Sequence, residues 1–360
     1  MIELVSKRRL IYRRVFLGTI SLAAIIIGLI IFPIVSDLIV VTIVSFVLMY
    51  IFRPGVVLLE RREISRLGAV VILFTLATGI LIVVSIYFFP VIIREFLTLG
   101  KDIQDFDYIG TYKSVVDWIN GWIPEAGERL KINPDWATTW ASEISAAIGS
   151  FLKKSVVLVA GAFNLIVLAT VVPFLTFFLL KDGPDISKNF IKRVPNRFFE
   201  MTLSLLHRID DKLGSYIRSI LLESLIIWLM TWPALALLGI KFSLVLGLVH
   251  GILNMIPYFG PLVAYIPVTI IALISYSTPG WGMFWVMVVM LSIQIIDNIL
   301  LKPLIVSKSV KLHPAIVLVG VLVGGKLAGA VGMFVAVPLF SVIQVIIVDL
   351  YEHLKNYKII

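Results

Sequence analysis

The chain has 360 residues, 60% of them hydrophobic and 15% charged, against about half and a quarter in soluble globular domains. A soluble fold could not cover that apolar excess, and the lack of cysteine removes disulfides, thiolate metal sites and cysteine nucleophiles. The net charge of +9 reads as positive-inside topology rather than as nucleic-acid binding.

The apolar residues come in blocks of about 20, the length at which a helix crosses ~30 Å of hydrocarbon. They lack the apolar–polar alternation of a membrane β-barrel. The expected fold is therefore an all-α polytopic membrane protein with about eight transmembrane segments. The blocks fall near 15–35, 38–52, 68–93, 155–180, 220–239, 244–275, 281–305 and 315–350. The basic start is followed by too long an apolar run for a signal peptide and reads as the first anchor.

Lys7, Arg8, Arg9, Arg13 and Arg14 place the N-terminus in the cytoplasm. Arg53, Arg61, Arg62 and Arg66 do the same for the next loop, so residues 1–67 read as a transmembrane pair with a basic cytoplasmic loop. Residues 68–180 read as a second pair with an extracytoplasmic amphipathic insert near 98–152. There Asn133-Pro134-Asp135 signals a helix start. Trp118, Trp122, Trp136 and Trp140 suit anchors at the membrane interface. Residues 181–220 are basic again. Phe198, Met201, Leu205, Ile209 and Leu213 form the apolar face of a cytoplasmic amphipathic helix that would lie on lipid headgroups. Residues 221–360 are expected to be the transport core, with discontinuous or re-entrant helices.

The reason is where the polar residues lie. An ionisable group in a spanning helix costs roughly 2.5–3.5 kcal/mol on insertion scales, so it is usually kept for function. In the sixth block His250 and Asn254 share a helical face. The helix must then break, because Pro257 and Pro261 lack backbone N–H groups and Gly260, after Tyr258, permits a turn. Gly247 and Gly251 have the GxxxG spacing that permits close helix approach. In the seventh block Gln294, Asp297 and Asn298 form one polar stripe, with Lys302 and Pro303 behind it. This stripe reads either as a buried clasp or as a proton, cation or solute site. In the eighth block Gly324 and Gly325 thin the backbone around Lys326, which could pair with Asp297, meet a ligand or snorkel from a hairpin tip. Glu223, in the fifth block, is a further candidate that Arg218 could neutralise. Two interrupted segments about 70 residues apart fit broken helices that build a midplane site.

No GxxxxGK[ST], HExxH or GxSxG motif is present, so no ATPase, metalloprotease or serine hydrolase is indicated. No cofactor or metal site is expected, and an enzyme is not the reading. A lone Asp297 without a second carboxylate would not make an aspartyl dyad.

The stretches IPYFGPLVAYIP, QIIDNILLKPLI and KLHPAIVLVGVLVGGKLAGAVGMFVAVPL follow in the order and spacing of the autoinducer-2 exporter family of PerM-like permeases. FFLLKDGPDI and DDKLGSYIRSILLE also resemble its pattern, and the likeness covers about residues 172–351. One departure is Ser219, where members commonly carry glycine. The resemblance implies a bacterial inner-membrane exporter, a homo-oligomer, moving a small polar solute such as autoinducer-2. Sodium or lithium exchange for protons is the alternative. On this chain its motif residues are Pro257, Gly260, Pro261, Asp297, Asn298, Pro303, His313, Pro314, Gly324, Gly325, Gly329 and Pro338. A membrane scaffold without a solute pathway is the competing class.

Overall fold

The computed structural model of the protein describes residues 38–104, 108–123, 139, 143, 162–276, 280–306 and 312–356. The first apolar block, the Asn133 helix start, Trp136 and Trp140 lie outside the described residues. Within them the regular structure is helical throughout, as an all-α polytopic membrane protein requires.

Helix α1 (Leu38–Glu60) is followed by α2 (Arg66–Tyr87), α3 (Phe89–Gln104) and α4 (Tyr108–Trp122). Ser65 caps α2 by accepting from the Gly68 N–H. Arg66 then donates to the Leu180 and Lys181 carbonyls at 2.7 and 3.1 Å and pairs with Glu60, fixing the start of α2. The rest of α2 leaves Leu76, Ile80, Leu81 and Val83 outward, a surface that only lipid or another apolar partner can cover. Helix α5 (Ala162–Ile191) meets α1 and α2 in a cluster of Val56, Ala69, Val70 and Leu180. Thr176 and Ser45 exchange side-chain bonds with each other's helices there.

Helix α6 (Phe199–Leu237) is the axis of the second half. At 1.5 Å per residue its 39 residues run about 58 Å, so the amphipathic stretch and the fifth apolar block form one unbroken rod. Tyr216, Ile220, Glu223, Ser224, Ile227, Thr231 and Leu235 are its buried stripe, at helical spacing of three and four. Helix α7 (Ser243–Asn254) packs antiparallel on this stripe. A Cβ at Gly247 would sit 2.9 Å from the Trp232 nitrogen, and one at Gly251 would sit 2.7 Å from the Ser224 carbonyl. The GxxxG spacing thus does what the sequence suggested: it lets α7 lie against the backbone of α6.

Helix α8 (Phe259–Ser275) folds back along α7. The reversal depends on Gly260, where a Cβ would stand 1.7 Å from the Leu253 carbonyl oxygen. At 12 and 17 residues, α7 and α8 are about 18 and 26 Å long, each short of ~30 Å of hydrocarbon. Helix α9 (Trp281–Ile296) continues into a wider π-helical stretch, Asp297–Val306. Helix α10 (Pro314–Asn356) is interrupted where Ala328 and Gly329 leave helical geometry, Gly329 at φ +57°.

That interruption is a reversal rather than a bend. Gly324 faces Gly332, Gly320 faces Ala336 and Phe340, and Gly325 faces Met333, so contacts move outward from the break along both arms. The closest approach is backbone on backbone: a Cβ at Gly332 would lie 2.0 Å from the Gly324 carbonyl oxygen. Five stretches among the described residues have the length and hydropathy to cross a bilayer, the last being Pro314–Val348. The reversal divides that last one. The second half therefore contains two helical hairpins, α7–α8 and the two arms of α10.

Candidate functional site

Two apolar clusters flank the site. One joins Tyr216, Ile217 and Ile220 of α6 to Val317, Val321 and Val337 of α10. The other joins Leu235 and Leu246 to Val268 and Ile271 of α8 and Val286 and Met290 of α9. Between them α6, both hairpins, α9 and the π stretch line an open cavity of about 910 Å³. Its polar wall is made by Tyr216, Glu223, Asn254, Gln294, Asn298 and Lys302, and Pro257, Tyr258 and Pro261 form its rim at the first hairpin tip.

The π stretch sets the polar geometry. Its hydrogen bonding joins residues five apart and widens each turn, which brings Lys302 onto Asp297. The Lys302 Nζ donates to Asp297 Oδ2 at 2.6 Å and to Asn298 Oδ1 at 2.9 Å, and Gln294 donates to the same Asp297 oxygen at 3.4 Å. Asp297 is fully buried. Its ammonium partner is therefore Lys302, and the alternative of Lys326 does not hold. Lys326 is exposed, three residues before Gly329 at the α10 reversal.

Asn254, at the end of α7, donates to Glu223 Oε1 at 3.2 Å. Glu223 is a close neighbour of Asp297, so two carboxylates that the sequence placed in separate blocks meet here. Arg218 does not meet Glu223 here. Its guanidinium lies against Gly214, beside Tyr50 of α1. His250 sits apart from the cavity wall. Its Nδ1 is 2.9 Å from the Thr231 hydroxyl, and its ring stands edge-on to Tyr265, 6.5 Å between centroids. Gly324 and Gly325 serve the closure of the second hairpin rather than the cavity wall.

At the rim, the Phe259 N–H donates to the Pro257 carbonyl at 2.7 Å. This i→i+2 bond makes a γ-turn with Tyr258 at φ +63°, ψ −45°, a conformation that strains any residue with a Cβ. Two side chains that matter here were not singled out from the sequence, Tyr216 and Thr231, and Ser219 stood there only as a departure from the family pattern. Ser219 donates to the Ile305 carbonyl at 2.8 Å and ties α6 to the π stretch. The signal was present, because Tyr216, Ser219 and Glu223 recur at helical spacing and Thr231 stands two turns beyond Glu223.

A helical membrane protein with broken helices around a polar cavity is the build of a transporter or permease. The chain belongs to the AI-2E family of transporters, whose family model matches residues 20–352. It is 28% identical to YrrI of Bacillus subtilis strain 168, a transport protein by name, over 85% of this chain and 84% of that one. It is 29% identical to PerM of Escherichia coli strain K12, a permease by name, over 93% of this chain and 95% of that one. The AI-2 transport protein TqsA of the same strain is 27% identical over 43% of this chain and 46% of its own length.

Proposed function

We propose that the protein is a secondary transporter that exports a small polar solute through the cavity between its two hairpins. One observation carries the reading. Amide, carboxylate and ammonium groups converge on a solute-sized space where two spans are broken. Polar groups at such depth are tolerated when they line a cavity. Amides and a Lys302–Asp297 pair suit a hydroxyl-rich, uncharged molecule, and the name of TqsA points to an autoinducer-2-like signal.

In this reading Asp297 couples movement to an ion or proton, with Gln294 and Asn298 as hydrogen-bonding partners. The Pro257–Pro261 turn gates the rim, and access alternates between the two sides of a bacterial inner membrane whose cytoplasmic face carries the N-terminus. The test is solute uptake and efflux in proteoliposomes across a solute panel, with and without a pH gradient. Wild-type protein is expected to move at least one polar solute, and Asp297→Asn to lose the response to the gradient. Unchanged flux and unchanged pH response in that variant would remove the coupling role.

A second reading, exchange of sodium or lithium for a proton, is favoured by the buried Glu223 beside Asp297. Dequenching of a pH dye when sodium is added to the proteoliposomes separates it from solute export. The proposal includes a homo-oligomer packed through the first half, where α2 leaves its apolar length outward. Crosslinking in native membranes is expected to give ladders of one chain, and monomer alone would contradict it.

A further inference from the structure

Glu223 and Asp297 are 1% and 0% exposed. Their partners do not balance. Asp297 Oδ2 takes Lys302 and Gln294, and Glu223 Oε1 takes Asn254. Asp297 Oδ1 and Glu223 Oε2 are buried with no partner. A buried acceptor left unpaired costs about 1–3 kcal/mol, and more when charged. Two carboxylates facing one ammonium also leave an excess negative charge in a medium that penalises it.

We propose that Glu223 and Asp297 form a single proton-binding site, one proton being shared between the two carboxyl groups beside the Lys302 ammonium. A proton between Glu223 Oε2 and Asp297 Oδ1 gives both orphan atoms a partner and cancels the excess charge. Like charges in contact cannot both ionise at low cost. A second observation points to the same place. Asn254 is 3% exposed and Tyr216 2% exposed, and the Asn254 Oδ1 and the Tyr216 hydroxyl also lack partners on this cavity wall.

The groups that face the pair come from every neighbouring element. The π stretch supplies Lys302 and Asn298, α7 supplies Asn254 and the more distant His250, and α6 supplies Tyr216. From α10 the neighbours are the apolar Val317 and Val337, and the Tyr265 hydroxyl of α8 is committed to the Met290 carbonyl. The step balances simply. A proton from the cavity adds to a carboxylate oxygen and is later returned, and only an O–H bond forms and breaks. Release restores one excess negative charge, which must be met from the cavity before the site can close. That last link rests on the transporter reading; the proton site itself does not.

The test is an infrared pH titration of the full chain in lipid vesicles, following the stretch of the protonated carboxyl. One signal is expected, lost alike in Glu223→Gln and in Asp297→Asn, and retained in Glu223→Asp. A signal that survives in Glu223→Gln at its original midpoint would overturn the shared site. So would two midpoints, each lost with its own residue. Glu223→Gln alone decides the matter if Asp297→Asn does not fold. A shared signal without flux of any solute would leave the site standing and remove the transporter reading. Flux without the signal would do the reverse.

Discussion

Asp297 and Lys302 are joined at 2.6 Å, yet they do not contribute equally to stability. Asp297 is fully buried, whereas Lys302 keeps 35% of its side chain exposed. Removing the ammonium strands a buried carboxylate, which costs roughly 3–5 kcal/mol in a fully buried pair and less where one partner is open. Lys302→Met is therefore expected to lower the thermal unfolding temperature in detergent. Lys302→Met with Asp297→Asn should recover much of the loss, because the stranded charge is gone. Equal loss in the single and double variants would show that the pair is not coupled. Tyr258 is a different case, being 56% exposed and strained by its backbone. Tyr258→Gly should leave stability unchanged or raise it by about 1 kcal/mol, and Tyr258→Val should lower it, since a β-branched residue resists positive φ. The reverse order in thermal unfolding would contradict the γ-turn. Much at this scale could be read from the chain. Insertion cost alone marks Asp297, Asn254 and Glu223, but pairing could not be read. An α-helical projection puts residues five apart on different faces, so Lys302 reaches Asp297 only because the helix widens there.

Each hairpin rests on a glycine where backbone meets backbone. A Cβ at Gly260 would overlap the Leu253 carbonyl, and one at Gly324 would stand 2.3 Å from the Gly332 carbonyl oxygen. Neither neighbour is a side-chain end that could swing aside. Gly260→Ala and Gly324→Ala are each expected to cost on the order of 3 kcal/mol or more, read as lost folded yield after extraction. Gly183→Ala meets nothing within 4 Å and should be tolerated. Ser219→Ala removes the bond to the Ile305 carbonyl and should cost about 1 kcal/mol. The break at Pro257–Pro261 was legible because proline and glycine act locally. The reversal at Ala328–Gly329 was less so, since a glycine run inside an apolar block fits a tight straight helix as well as a turn. The amphipathic stretch at 198–213 and the apolar block after it looked like two elements because composition changes there, but helical hydrogen bonding continues through it.

For the whole molecule, the two halves differ in how they are held. The first half packs through apolar clusters and the Arg66 clamp and leaves α2 bare to its surroundings. The second half wraps two hairpins around α6 and lines one cavity with Tyr216, Glu223, Asn254, Gln294, Asn298 and Lys302. The absence of cysteine makes the central claim directly measurable. Leu262 lines the cavity without offering a polar group, and Leu237, 89% exposed, lies away from it. Leu262→Cys and Leu237→Cys, each the single cysteine in the chain, can be reconstituted and labelled with a bulky water-soluble thiol reagent. If the cavity is the solute path, labelling the first should stop flux and labelling the second should leave it intact. Flux that continues through fully labelled Leu262→Cys protein would contradict the account.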